Sequence, residues 1–259
     1  MHSFLSGSTT GGLTLQSDEV HVWRVSLHVD PAEIESLARV LSDDERARAA
    51  RFCFQQDREN FTVARGILRV LLGRYLDQEP GRLELSYGSH GRPMLRDQNL
   101  SEFCFNVSHS KELALYAFTR KRQIGIDVEW IRSEMASEQI AERFFAPEEV
   151  ATLRALPSEV QLEAFFNCWT RKEAFIKASG EGLSLPLDRF VVSLTPGEPA
   201  EILTIDGEAE TAALWSLQEI RAGRGYAAAL AVKGHNWRLK CWQWPHVPNR
   251  LSKNPNSSS

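Results

Sequence analysis

Lysine is absent from the first 110 residues; every Lys lies at or beyond Lys111, so an anion held by the first part of the chain is held by arginine forks. Cysteine is scarce too. Cys53, Cys104, Cys168 and Cys241 are far apart, form no C-x-x-C pair and sit in apolar or aromatic runs, which predicts buried free thiols in a reducing cytosol. No apolar run approaches the length that spans a bilayer, and MHSFLSGSTTGGLTLQS at the N-terminus lacks the basic n-region and continuous apolar core of a signal peptide. The expectation is a cytoplasmic protein. An excess of charge is also missing: 34 acidic against 30 basic side chains leave −4, which supports neither nucleic-acid nor membrane binding. What the chain does have is apolar residues, 42% of 259, enough to build one large domain or two closely packed halves.

Two short stretches carry the chemistry. In GIDVE, from Gly125 to Glu129, the apolar Ile124, Ile126 and Val128 alternate with Gly125, Asp127 and Glu129, so a strand period buries one face and presents two carboxylates on the other. In WTRKEAFIK, from Trp169 to Lys177, the spacing of Trp169, Glu173 and Lys177 puts them along one side of a helix, with Lys172 beside them. If Glu173 faces Asp127 and Glu129, three carboxylates converge, and Mg²⁺, which takes oxygen ligands and is completed by substrate phosphates, relieves their repulsion. Taken singly, D-x-E on a strand and Glu/Lys at i, i+4 are also ordinary solvated patterns.

Arginines cluster between Arg39 and Arg96, among them Arg46, Arg48, Arg51, Arg58, Arg65, Arg69, Arg74 and Arg92. They fit either an anionic ligand or solvated helix faces interleaved with acids.

The rest of the pattern alternates helix and strand. Residues 1–18 and 249–259 are rich in small polar residues and are expected to be mobile. A strand is predicted over 20–29, helical sequence capped by Asp30 or Ser42, a helix over 61–76, a turn at GSHGRP (88–93), and strands over 102–108, 113–119 and 123–130. A helical stretch over 137–155 restarts at Pro147, and the Trp169 helix ends at Gly180. LALYAFTRKRQIGIDVEW from Leu113 faintly repeats as YAAALAVKGHNWRLKCWQW from Tyr226, and ARFCF at Ala50 echoes ERFFA at Glu142. The predicted fold class is therefore α+β: two similar packed halves, 19–122 and 123–248, related by a pseudo-twofold, with the site in the cleft between them.

Taken together, FNVSHS (105–110), GIDVEW (125–130) and WTRKEAFIKASGEGL (169–183) resemble, in order and spacing, the signature motifs of the Sfp-type 4′-phosphopantetheinyl transferases. The likeness runs from about residue 41 to 190 and includes GRPML, where Arg92 stands in place of the family's usual lysine before Pro93. It implies a magnesium-dependent enzyme that moves the phosphopantetheine arm of coenzyme A to a serine of an apo acyl or peptidyl carrier protein and releases 3′,5′-ADP. It further implies that Asp127, Glu129 and Glu173 hold Mg²⁺, that Glu173 is the candidate general base, and that Lys177, with Lys172 as a second cation, neutralises the pyrophosphate. Ser108 and a protonated His109 are implied at the 3′-phosphate; Arg48, Arg51, Arg65, Arg92 and Pro93 are candidates for the remaining coenzyme A contacts, with backbone groups of Ser89 and His90. The segment after Arg132, to about Ala146, is implied to border the carrier, and the fused halves imply a monomer. A Ser108/His109 nucleophile pair is disfavoured, because adjacent residues on a strand face opposite ways. The competing readings are a magnesium-dependent phosphohydrolase of a nucleotide pyrophosphate, for which no helix of clustered glutamates is present, and a non-catalytic binding module.

Overall fold

In the computed structural model, which describes residues 4–6, 13–88, 91–136, 138–180 and 185–245, the chain builds a mixed α+β fold. After the two-residue strand β1 (Leu5–Ser6) come β2 (Glu19–Ser26), α1 (Pro31–Arg39), α2 (Asp43–Ala49), α3 (Gln55–Leu76), β3 (Leu85–Tyr87), β4 (Pro93–Leu95), β5 (Phe103–Ser110) and β6 (Leu113–Arg120). The second run is β7 (Ile124–Trp130), α4 (Glu138–Phe144), α5 (Pro147–Ala155), α6 (Ser158–Ser179), β8 (Phe190–Val192), β9 (Ile202–Ile205), α7 (Ala209–Ala212), β10 (Trp215–Glu219) and β11 (Tyr226–Lys233), and β12 (Arg238–Gln243) follows. The two larger sheets have the orders β1-β12-β2-β6-β5 and β10-β11-β7, and β3-β4 and β8-β9 form two-stranded sheets. The order β2-β6-β5 in the first run and β7-β11-β10 in the second is the same connectivity used twice.

Four layers result. The α3 residues Val63, Ile67, Leu68, Leu71 and Leu72 pack with Trp23, Val25, Phe105, Tyr116 and Phe118 on one face of the first sheet. Its other face, through Val20, Val22, Leu115 and Ala117, meets Ile124, Ile126, Val128, Leu230 and Val232 of the second sheet. The far side of that sheet, Ala227, Ala229 and Ala231, takes Ala164, Phe165, Ala174, Phe175 and Ala178 of α6. Alanines on β11 let α6 lie close, and Gly125 lets it lie closer still: a Cβ there would come within 2.1 Å of the Ala174 carbonyl oxygen and 2.4 Å of the Ala178 nitrogen. The C-terminal half of α6 therefore crosses β7 at the two strand carboxylates.

Local signals act as expected at several ends. Glu45 reaches back to the Ser42 amide at 3.0 Å to cap α2, and α6 stops at Gly180, whose φ of +81° is left-handed. The helical stretch restarts at Pro147 as its pattern predicts: Pro147 begins α5 and biases Ala146 to an extended conformation, so α4 and α5 are separate helices. Three expectations are corrected. Within 1–18, expected to be mobile, Leu5 and Ser6 pair with β12, and Leu13 and Leu15 bond to Arg74 and Arg120. β12 leaves its own half: it pairs in parallel with β2, from Arg238 opposite Glu19 to Gln243 opposite Arg24. Cys53 is exposed and Cys104 half-buried, since the first precedes α3 on a surface turn and the second lies on a strand at the sheet's edge; Cys168 and Cys241 are buried.

Candidate active site

The site forms where β5, the edge of the first sheet, meets β7, the edge of the second, under the C-terminal half of α6. Ser108 on β5 donates its hydroxyl to Asp127 Oδ1 at 2.8 Å. Lys177 Nζ bonds the same carboxylate oxygen at 2.6 Å and Ser108 Oγ at 3.1 Å. Asp127 is 3% exposed, and its second oxygen, Oδ2, is buried without a hydrogen-bond partner. Two residues on, Glu129 is half-buried and accepts the Ser110 hydroxyl at 2.9 Å.

Negative charge exceeds positive here. Burial first, and then the Asp127 charge, push both Glu129 and Glu173 above the ordinary carboxylate range; Lys177 opposes this for each of them. The buried Oδ2 without a donor and the two acids raised beside it make an all-oxygen set that a hard divalent cation fits. Among the described residues, no three such side chains stand close enough together to hold a metal ion; Lys177 sits on Asp127 as its present counter-charge.

A basic and aromatic cluster lies on α2, α3 and β3. Arg48 and Arg51 are exposed and, with Asp44, Phe52 and Tyr87, line an open cleft of 630 Å³. The Arg48 guanidinium lies over the Phe61 ring at 5.4 Å. Arg65, on α3, is buried over Phe61 and Tyr87 at 5.7 and 5.3 Å and stands 3.7 Å from Glu45, and its Nη1 has no partner. His109 is solvent-accessible. The surrounding protein, then Lys177 and Arg65, lower its pKa below the ordinary histidine value, so in the free chain the ring is neutral at pH 7; the protonated imidazole of the expectation requires an anion beside it.

Two expected ligand contacts face elsewhere. Lys172 is fully buried and bonds Glu149 Oε2 at 2.7 Å and the carbonyls of Leu187 and Phe190 at 2.7 and 2.6 Å, so it anchors α6 to α5 and the following turn instead of reaching a phosphate. Arg92 donates to the Lys177 carbonyl and, at 3.4 and 3.3 Å, to those of Phe105 and Ile124, tying β5, β7 and α6 together. Pro93 begins β4 opposite Tyr87. Ser89, His90 and residues 181–184 lie outside the described residues. Two polar residues of the site escaped the sequence reading, Asn106 and Ser110, whose side chains accept the Ile126 and Trp130 amides at 2.9 and 3.0 Å. The signal was there, as polar Asn106, Ser108 and Ser110 at a period of two on a strand whose intervening residues include Phe105 and Val107.

Comparison with known proteins gives a consistent answer. Residues 123–231 match the family model described as the 4′-phosphopantetheinyl transferase superfamily, and residues 26–120 match the one described as 4′-phosphopantetheinyl transferase, N-terminal. The chain is 46% identical to the 4′-phosphopantetheinyl transferase HetI of Nostoc sp., over 90% of this chain and 95% of that one. It is 33% identical to the 4′-phosphopantetheinyl transferase Sfp of Bacillus subtilis, over 62% of this chain and 70% of that one. The L-aminoadipate-semialdehyde dehydrogenase-phosphopantetheinyl transferase of Mus musculus is 28% identical, over 75% of this chain and 68% of its own length.

Proposed function

The chain belongs to the 4′-phosphopantetheinyl transferase superfamily, and from that premise we propose how its own residues move the phosphopantetheine arm of coenzyme A onto a carrier protein. It is an enzyme, a 4′-phosphopantetheinyl transferase. The single observation that carries the assignment of the site is Asp127: a buried carboxylate with one oxygen held by Ser108 and Lys177 and the other without a partner, beside Glu129 and Glu173.

In the reaction, the hydroxyl oxygen of the carrier serine forms a bond to the β-phosphorus of coenzyme A. The bond from that phosphorus to the bridging oxygen breaks, and the bridging oxygen leaves on 3′,5′-ADP. Glu173 takes the serine proton, directly or through a water; because a bound cation lowers the basicity of its carboxylate, water or Glu129 shares that role when Glu173 holds the metal. Asp127, Glu129 and Glu173 would hold Mg²⁺, whose chemistry there is to offset charge on the pyrophosphate oxygens. Lys177 turns from Asp127 to the pyrophosphate when the substrate arrives. Arg48, Arg51 and Arg65, with His109, receive the nucleotide end and its 3′-phosphate; an anion bound there raises the pKa of His109 and draws a proton onto it. Lys172 and Arg92 support the site from behind.

The segment 132–146 borders the carrier, the two halves are related by a pseudo-twofold, and the protein acts as a cytoplasmic monomer. Among the described residues, no helix is long and apolar enough to cross a membrane. Intact-protein mass spectrometry of an apo carrier incubated with the chain, coenzyme A and Mg²⁺, beside an EDTA control, tests the proposal. The expected result is a metal-dependent gain of one phosphopantetheinyl arm. Cleavage of coenzyme A with no gain on any carrier would move the phosphohydrolase reading to the front.

A further inference from the structure

Asn106, Ser108 and Ser110 stand two residues apart on β5, and each accepts a backbone N–H of β7: Ile126 at 2.9 Å, Val128 at 3.3 Å and Trp130 at 3.0 Å. β5 and β7 belong to different sheets. Across this junction the strand amides are thus met by side chains where a sheet would supply carbonyls, and these bonds join Arg92 and the apolar core in placing β7 against β5.

A hydroxyl that accepts an N–H still has its own proton to give. Both serines give it to the carboxylate of the residue just before the amide they hold: Ser108 holds Val128 and donates to Asp127 at 2.8 Å, and Ser110 holds Trp130 and donates to Glu129 at 2.9 Å. The same local device therefore occurs twice along the two strands. It leaves each acid with one oxygen fixed, and at Asp127 the remaining oxygen is the buried one without a partner. Glu129 needs the restraint more than Asp127 does, because its side chain is longer and like-charge repulsion from Asp127 drives it away from the site. Ser108 is shared with Lys177, whereas the Ser110 hydroxyl bonds Glu129 and the Trp130 amide.

We propose that Ser110 is a positioning residue for phosphopantetheinyl transfer: it fixes one oxygen of Glu129 from the strand across the junction and leaves the other for the divalent cation, as Ser108 does for Asp127. The inference rests on the reading of Asp127, Glu129 and Glu173 as the cation's ligands. Its test is Mn²⁺ binding to the full chain, followed by the electron paramagnetic resonance of free Mn²⁺, with coenzyme A present and carrier omitted. Ser110→Thr keeps the hydroxyl and Ser110→Val has the same shape without it, so the pair separates the hydrogen bond from packing. Thr is expected to bind Mn²⁺ as the wild type does, and Val about 10- to 100-fold more weakly, the usual cost of losing a group that orients a metal ligand. In a Glu129→Ala background Val should cost nothing more, since a group that acts through Glu129 has no effect without it. In turnover, Val should raise the Mn²⁺ concentration for half-activation and leave KM for coenzyme A unchanged.

Wild-type Mn²⁺ affinity in Ser110→Val, or a full additional loss on top of Glu129→Ala, would overturn the positioning role while the cation reading stands. Absence of Mn²⁺ binding by the wild-type chain would overturn the cation reading and the inference with it. Ser110→Ala, which removes the hydroxyl without adding volume, gives the same comparison should the valine variant fail to fold.

Discussion

The two 22-residue helices, α3 and α6, are fixed by the same construction and differ in what lies beneath them. On α3, Arg69 bonds Glu45 Oε2 at 2.5 Å and the carbonyls of Pro80 and Leu83 at 3.0 Å each, while Glu45 caps α2 through the Ser42 amide. On α6, Lys172 bonds Glu149 and the carbonyls of Leu187 and Phe190, while Glu149 accepts the Ala146 amide at 2.8 Å at the start of α5. Each cation stands at the fifteenth position of its helix. Below α3 the crossing is filled: Tyr75 accepts the Trp23 indole N–H at 2.9 Å and bonds His21 Nδ1 at 2.7 Å, and the Arg74 guanidinium lies over the Trp23 ring at 5.9 Å. Below α6 it is charged, with Asp127, Glu129, Glu173 and Lys177 where the first half has rings. Two helices anchored in the same way can thus be closed over aromatic packing in one case and over charge in the other, at the cost of carboxylates that repel one another.

The largest way to break this contrast is Asp127→Ala, which removes the centre of the charged crossing. Transfer should fall by about 10²- to 10³-fold, the scale on which fixed electrostatic groups act, while circular dichroism stays native. Near-normal turnover of that variant with Mg²⁺ would sink the site.

The anchors are expected to differ in degree. Lys172→Met leaves the buried Glu149 without its counter-charge, so denaturant unfolding should register about 3–5 kcal/mol of destabilisation, whereas Arg69→Met should cost less, because Glu45 keeps Arg65 at 3.7 Å and the Tyr87 hydroxyl at 3.0 Å. Coenzyme A affinity of folded Lys172→Met should be unchanged; a selective loss of coenzyme A binding would return Lys172 to the phosphate. Gly125→Ala sharpens the geometry. Its methyl group must push α6 off β7, costing about 1–3 kcal/mol in unfolding experiments, with a loss of kcat out of proportion to the loss of stability.

The smallest effect is the acid sensitivity of the first half. Burial alone would raise the pKa of Glu19, but hydrogen bonds from Lys240, His21 and the Gln16 amide outweigh it and bring the carboxyl down from 4.5 to about 2. A carboxyl depressed in the folded state contributes stability that is complete above its unfolded value and lost as pH falls through the folded one. Stability carried by Glu19, which ties β2 to β12, should therefore decline between pH 4.5 and 2, and Glu19→Gln should flatten that part of the pH–stability curve.

Much of this was legible from residue spacing. The alternation at 124–129 gave the carboxylate face of β7, because one face of that strand is buried and fixes the other. Lys172 was the instructive error. It is five positions before Lys177, about 140° around the helix, so the two lysines cannot share a face; adjacency to Glu173 was the weaker guide. Arg92 and β12 were not readable locally. The partners of Arg92 are carbonyls on three separate elements, and β12 finds its place beside a strand more than 200 residues earlier. No local pattern encodes such distant pairings.

A crystal structure of the chain with coenzyme A and Mn²⁺, read by the anomalous signal of the metal, would locate the cation and the nucleotide together. A metal peak is expected among Asp127, Glu129 and Glu173, with the pyrophosphate against Lys177 and the nucleotide running to Arg48, Arg65 and His109. A metal peak elsewhere, or a nucleotide that leaves the α6 crossing empty, would contradict this arrangement.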